Sequence, residues 1–409
     1  MRILFFTQWF QPEPAFKGLP FAKALADRGH QVEVLTGFPN YPGGKVYPGY
    51  RVRLWQREIM DGIKVNRVAL YPSHDSSGFR RILNYLSFAA SSFVIGPWMV
   101  RPPDVIYIFN LITLGPTAFF LRLLYGSKAV LDIQDLWPES VTSSGMLNNK
   151  KALHLLDTFC RWIYRKQNRL VVLSPGFKNT LIERGIQPEK IEVIYNWCDE
   201  STMHRENRDE ALAKKLGMAG KFNVLFGGTM GIVQGLETAL EAAQICLPNL
   251  PRVQFVFVGG GVARSSLETR ARDMNLENVK FLPRQPQAAM GKIFALADAL
   301  LVHLKDDPLF RITVPSKTQA YLYMGKPIIM AMRGDAANLV RQSGAGIICQ
   351  PGNPQAMAKA VEVLSSMSEN ERRAMGDLGF HFYLNNLAFG RGIDHFEKLM
   401  LREISVSQA

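Results

Sequence analysis

The sequence predicts an α/β protein built from two doubly wound, Rossmann-like domains in tandem. Three observations carry this. At 409 residues, 47% of them hydrophobic and 20% charged, the chain is an ordinary globular composition but longer than one hydrophobic core usually organises. Short apolar runs alternate with helix-length amphipathic segments, the pattern of βαβ units that cover a parallel sheet on both faces. The rhythm then restarts once, after a polar, charged stretch from Cys198 to Lys221.

Met1-Arg2-Ile3-Leu4-Phe5-Phe6 opens the chain as a buried strand at 2–7, and the apolar run is too short for a signal peptide. Further strands are expected at 31–36, 63–69, 104–109, 128–133, 169–173 and 191–195, with helices between them. The best-defined helix runs from Phe16 to Arg28, stops at Gly29 and puts Leu19, Ala22, Leu25 and Ala26 on one stripe. In the second half, strands are expected at 222–227, 253–258, 279–282, 298–303, 327–331 and 346–349, with helices at 235–247, 315–324 and 354–366. The domains are read as 1–200 and 201–386. A final segment, 387–409, carries a helix near Arg391 to Ile404 that is expected to cross back to the first domain. Open sheets of this class bind ligands at strand carboxyl ends, so the cleft between the domains is the expected active site.

Lys and Arg number 48 against 35 Asp and Glu, a net charge of +13 that suits polyanions or an anionic membrane surface. The basic residues are dispersed, with no basic run interleaved with aromatics, so nucleic acid is not an expected partner. Four cysteines, Cys160, Cys198, Cys246 and Cys349, fit neither a disulfide framework nor a CxxC metal site and point to a reducing, cytosolic compartment. The nearly uncharged segment Ile82 to Val100 is entered through Arg80 and Arg81 and left through Arg101. Its Asn, Ser, Gly and Pro content and its basic flanks at both ends argue against a spanning helix. Two readings stay open, a helix buried on the sheet and a helix sunk in one leaflet with Phe88 and Phe93 on its membrane face.

Several loops carry groups suited to chemistry. Lys17-Gly18 stands where the first helix begins, a helix N-terminus with Gly for close backbone approach to an anion. Gly227-Gly228-Thr229-Met230-Gly231, followed by Gln234-Gly235, is its counterpart in the second half; glycines that merely make tight turns are the alternative reading of both. Val314-Pro315-Ser316-Lys317 starts a helix with Pro in the first turn, a hydroxyl for backbone donors and a cation where the dipole already favours an anion. It is the best phosphate site in the chain. Gly259-Gly260-Gly261 lacks dinucleotide-binding spacing, so no nicotinamide cofactor is expected. Asp306-Asp307 has no further ligand at suitable spacing, so no metal is assigned. Asp132 to Ser140, with Asp135 and Glu139, offers groups for substrate hydroxyls or proton handling, and Thr36 to Gly44 is a stiff loop of aromatic and amide groups such as sugar sites use.

Together, FKGL at 16–19, TGFPNYPGG at 36–44, DLWPES at 135–140, MGIVQGL at 230–236 and VPSKTQAYLYMGKP at 314–327 resemble the retaining nucleotide-sugar glycosyltransferases of family 4, over essentially the full length. Within that family they are similar to a bacterial branch of N-acetyl-L-fucosamine transferases of O-antigen and capsule synthesis and of colanic-acid enzymes. The resemblance implies the GT-B fold and a UDP-sugar donor, with no metal or other cofactor required. It also implies a polyprenyl-diphosphate-linked sugar as acceptor and a cytoplasmic protein peripheral to the inner face of the plasma membrane. Taken with the loops read above, Gly18, Gly228, Thr229, Gly231, Gln234, Pro315, Ser316 and Lys317 are expected at the donor, and Lys317, Lys17, Gln134, Asp135 and Glu139 at the chemistry. Gln134 stands where the family often has a His against the sugar, and Pro283-Arg284-Gln285-Pro286 where it holds the uracil ring.

The sequence also departs from the family. The usual pair of Glu residues falls on Ile312 and Ala320, leaving Asp306, Asp307 or Arg311 for sugar contacts. The usual Arg and Lys on the diphosphate fall near Thr229 and Gln234, leaving Lys317 as the positive charge. A nucleotide-sugar 2-epimerase shares the architecture but needs His and carboxylate acid/base groups. Of His30, His74, His154, His204, His303, His381 and His395, only His303 lies at a strand end. A catalytically inactive binding subunit is a further alternative.

Overall fold

A computed structural model describes residues 1–73, 78–143 and 149–405; His74 therefore lies outside the described residues. The chain forms two compact units. The first comprises Met1–Leu173, Phe177–Ile194 and the chain from Ile393 on, and the second Ser174–Gly176 and Tyr195–Gly392.

In the first unit, β1 (Arg2–Thr7), β2 (Gln31–Gly37), β3 (Trp55–Met60), β4 (Ile63–Val68), β5 (Val105–Phe109), β6 (Lys128–Ile133), β7 (Arg169–Val172) and β8 (Ile191–Val193) make one sheet. Its order is β3-β4-β2-β1-β5-β6-β7-β8, parallel except where β3 runs antiparallel to β4. The order reverses between β1 and β5, where Phe5 sits level with both Val34 and Tyr107. These central strands are buried on both faces, which is why they read as continuous apolar runs. The expected strands form within two residues of their predicted ends, but β3 was not expected. It alternates exposed and half-buried residues, with Trp55 54% and Ile59 76% exposed, and has no apolar stripe to announce it. Its signal was the turn: Asp61-Gly62, both at positive φ (47° and 82°), is the two-residue hairpin loop of type I′.

The first helix is Leu19–Asp27, shorter than expected because the Gln11 side chain takes its opening N–H, from Leu19, at 2.6 Å. Helix Gly78–Met99 is, by length and composition, apolar enough to cross a membrane. It nevertheless packs on the sheet through the stripe Asn84, Phe88, Ser92, Gly96 and Met99. Asn84 accepts from the Gln8 amide (2.5 Å), and the Phe88 ring lies 6.0 Å from that of Phe6. Phe88, expected on a membrane face, is therefore core, while Phe93 (42%), Val94 (65%) and Trp98 (86%) are exposed. The helix buries a mixed stripe and turns a largely apolar side outward.

The final helix is Phe389–Ser405. Its Phe396 ring fills the first unit's core at 5.3 Å from Phe21 and 5.4 Å from Tyr107. Arg28 pairs with Asp394 and Glu397, both at 2.6 Å, and His30 meets Glu397 at 2.7 Å.

The second unit holds β9 (Phe222–Gly227), β10 (Val253–Val258), β11 (Val279–Leu282), β12 (Ala299–His303), β13 (Ile328–Ala331) and β14 (Gly346–Ile348). They form a wholly parallel sheet in the order β11-β10-β9-β12-β13-β14. Here the order reverses between β9 and β12, which places a ligand crevice at the carboxyl end of β9.

Candidate functional site

At that end of β9 two glycine loops lie against each other. Gly228 donates to the Val258 carbonyl and Met230 to that of Gly260, both at 2.8 Å, so the loop after β9 continues the pairing of β9 with β10. Gly259, at φ 142°, has no room for a Cβ, which would run into the Gly228 carbonyl oxygen. The Gly-Gly-Gly run passed over as a failed dinucleotide motif is thus the floor of a cavity of about 550 Å³.

Helix Ser316–Met324 forms the facing wall. Pro315 stands at its N-cap in extended conformation and no side chain caps its first amides, which leaves them open to an anion. Tyr321 locks the helix to β9, its hydroxyl accepting from the Gly227 amide at 2.9 Å and lying 3.3 Å from the same residue's carbonyl. Lys317 reaches over the Phe226 ring, 3.6 Å from Nζ to the centroid. Gly228, at φ 128°, leaves space for that reach, since a Cβ there would meet Lys317 Cε at 2.8 Å. No described carboxylate pairs with the ammonium, and burial pulls its pKa down to about 7. Gly228, Thr229, Arg284, Gln285, Ser316 and Ala320 complete the lining nearest it.

Of the sequence-derived donor residues, Gly228, Thr229, Arg284, Ser316 and Lys317 therefore meet at one cavity, with Pro315 opening the helix beside them. Gly231 and Gln234 do something else. The Gly231 amide donates to Gln234 Oε1 at 2.9 Å, so that loop closes on itself. Arg311 is corrected as well. It is exposed and bound to Asp306 at 2.9 Å, Asp307 caps the short helix Pro308–Arg311, and none of the three lines the cavity. Ala320 lines the wall where the family resemblance anticipates a carboxylate.

The first unit's candidates are also redistributed. Lys17 does not face a phosphate. It is fully buried, 2.5 Å from Asp132 Oδ2 and under the Phe396 ring at 4.6 Å. Burial lowers its pKa against the pull of Asp132. Tyr107 Oη (2.6 Å) and Gln134 Nε2 (2.5 Å) also donate to Asp132, so Gln134 is drawn toward this buried centre. Such a pair is costly to break because either charge left alone is stranded in the core. The Gly18 position is likewise filled, packing on the Gln11 amide that already serves the Leu19 N–H. Glu139 pairs with Arg184, which also donates to the Trp137 carbonyl at 2.7 Å, fixing the 135–140 loop; Asp135 is exposed at the end of β6.

Glu13 gave no sequence signal, yet it organises the loops beyond β1 and β2. It is 1% exposed and accepts from the amides of Asn40 and Tyr41, each at 2.6 Å, and of Phe10 at 3.2 Å. Burial raises its carboxyl pKa to about 7 against those hydrogen bonds. His303 is buried and spoken for. Nδ1 donates to the Gln234 carbonyl (2.6 Å), Nε2 accepts from the Gly352 amide (3.2 Å), and burial lowers its pKa. Among the described residues no three His, Cys, Asp or Glu side chains gather as a metal site.

Comparison with known proteins adds family to geometry. Residues 19–197 match the family model for the glycosyl transferase 4-like domain, and residues 207–380 that for glycosyl transferases group 1. The chain is 30% identical over 311 residues to the putative colanic acid biosynthesis glycosyl transferase WcaI of Escherichia coli, covering 74% of this chain and 75% of that one. It is 28% identical over 251 residues to the probable glycosyltransferase WbjE of Pseudomonas aeruginosa, covering 60% and 62%. Among solved structures, Anabaena Alr3699/HepE in complex with UDP superposes with a TM-score of 0.71 at 15% identity, over 98% of this chain and 100% of that one.

Proposed function

The chain belongs to the glycosyl transferase 4-like family, its second half a group 1 glycosyltransferase domain on the GT-B fold, and from that premise we propose which sugar transfer it performs. The reading is a retaining transfer of an N-acetylated or deoxy hexosamine from a UDP-sugar to a polyprenyl-diphosphate-linked saccharide. The setting is bacterial surface polysaccharide synthesis, O-antigen or capsule, by a cytoplasmic enzyme peripheral to the inner face of the plasma membrane. Its relative WcaI, a putative colanic acid biosynthesis glycosyl transferase, and the UDP complex of a protein of the same fold support this direction.

One observation carries the donor half: Lys317, an ammonium without a described counter-charge, beside an uncapped helix N-terminus in a cavity of nucleotide size. In the proposed reaction the anomeric C–O bond to the β-phosphate breaks with oxocarbenium-like character. The acceptor oxygen bonds to the same face, and its proton passes to the departing diphosphate. Lys317 and the first amides of helix Ser316–Met324 stabilise the charge that develops on that leaving group. Arg284 and Gln285 also line the cavity, and in this reading the uracil ring packs against them.

The 2-epimerase alternative needs a free acid/base histidine, and His303 has both ring nitrogens committed to backbone groups. Incubation with a panel of UDP-N-acetylhexosamines and a polyprenyl-diphosphate-sugar tests the proposal. A gain of one sugar mass in the organic phase is expected; an isomerised UDP-sugar with no gain overturns it.

A further inference from the structure

The first unit carries a second large cavity, a groove of about 790 Å³ between helices Gly78–Met99, Gly115–Tyr125 and Lys150–Lys166. Ile82, Phe93, Pro116, Leu155 and Phe159 wall it, and almost all of its surface is hydrocarbon. A monomeric fold has no reason to leave such a trough open, the more so because helix Gly78–Met99 keeps Asn84 and Ser92 on the sheet and presents Ile82, Leu86 and Phe93 here. Accepting the transferase reading above, we propose that this groove seats the isoprenoid chain of the acceptor.

Three features select a single chain carrying a diphosphate. The first is shape. Three helices enclose a trough, and from Ile82 to Phe93 it follows the helix for roughly 16 Å, the length of about three extended isoprene units. Ala89 and Ala90 keep that helix's side of the trough low. A bilayer surface would instead meet side chains that stand exposed outside the trough, and Val94 and Trp98 on the same helix are those. The second feature is where the groove ends. Ile112 and Trp137, which follow β5 and β6, both line it, so a chain lying there delivers its headgroup to the carboxyl edge of the sheet, beside Asp135. The third is charge. Arg80 and Arg81 open one groove helix, and Lys150 and Lys151 open another, with no acidic residue in either first turn. Cations at that end of a hydrocarbon trough match a lipid diphosphate.

The test uses the full chain, with farnesyl diphosphate as probe and methyl diphosphate as its chainless control. Farnesyl diphosphate is expected to bind at least tenfold more tightly than methyl diphosphate. Ala90→Trp, and independently Ala152→Trp, fill the groove from different helices. Each is expected to weaken farnesyl diphosphate at least tenfold while leaving methyl diphosphate, UDP and vesicle association unchanged. Equal affinity for the two probes, or farnesyl affinity untouched by both substitutions, overturns the proposal. So does loss of vesicle association with farnesyl binding retained, which makes the groove a bilayer contact. The readout needs no donor sugar. A protein that transfers sugar yet ignores chain length overturns the groove alone, and one that binds farnesyl in the groove yet transfers nothing overturns the transferase reading alone.

Discussion

An ammonium whose pKa burial has brought to about 7 responds to whatever anion reaches it. A diphosphate beside Lys317 restores the proton, so binding takes one up. Affinity for UDP-N-acetylglucosamine, whose diphosphate keeps its charge over this range, should be level below pH 7 and fall by up to about tenfold per pH unit above it, read by calorimetry. Lys317→Met should remove that slope and weaken binding at pH 7 by about tenfold or more, on the order of 1.4 kcal/mol. The same burial opposes folding. Because the folded pKa lies below the ordinary 10.5, the unfolded chain holds more protons between the two values, and stability declines as pH falls through that window. Lys317→Met should therefore raise stability to denaturant at pH 7 by about 1–3 kcal/mol. Glu13 has the opposite sign. Its carboxyl rises from 4.5 to about 7, so what it contributes is fully present below pH 4.5 and is lost as pH climbs through 7. Glu13→Gln keeps an acceptor for the Asn40 and Tyr41 amides and should flatten the stability profile between pH 5 and 8 by about 1–2 kcal/mol. Lys317 was legible because Pro-Ser-Lys at a helix start is a local pattern. Glu13 was not, because its partners are amides of a distant loop, and Lys17 misled because its counter-ion, Asp132, is 115 residues away.

Elements were legible wherever their own residues declare which side is buried. The central strands do so, and β3, an edge strand with a polar alternation, does not. Helix Gly78–Met99 was legible as a helix, and the reading that buries it on the sheet holds for one face, while the opposite face is exposed. The sequence reading placed Phe88 with Phe93, five positions along, whereas 3.6 residues per turn put them on different faces. The outward face away from the groove is the one to test on vesicles. Val94→Ser with Trp98→Ser should reduce association with anionic liposomes severalfold in flotation, with secondary structure unchanged, since both side chains are largely exposed. The donor loops show the opposite limit. The glycines after β9 and β10 are visible in sequence, but only β9–β10 pairing shows that they meet, and that is why Gly259 was set aside as motif failure.

At the scale of the molecule, the +13 charge is long-ranged, so the vesicle association proposed above should weaken as salt rises. Each unit has its own sheet and its own order reversal, and the repeated rhythm made that legible. The return of the final helix to the first unit was legible too; that its Phe396 ring enters the core there was not, because its partners Phe21 and Tyr107 lie at the other end of the chain. Phe396→Ala, at a fully buried ring against Phe21, Tyr107 and Lys17, should cost the first unit about 3–5 kcal/mol in denaturant unfolding and leave UDP binding by the folded protein unchanged. That ring also sets an order of events in the cell. The strands of the first sheet are made before those of the second, yet the part of the final helix that covers Lys17 and fills their core follows the second unit's last residue, Gly392. Every residue of the second unit precedes Ile393, so the first unit stays partly open until the segment that begins there has been made. A chain interrupted late in translation therefore exposes the aromatic core of its oldest part to the chaperones that meet nascent proteins.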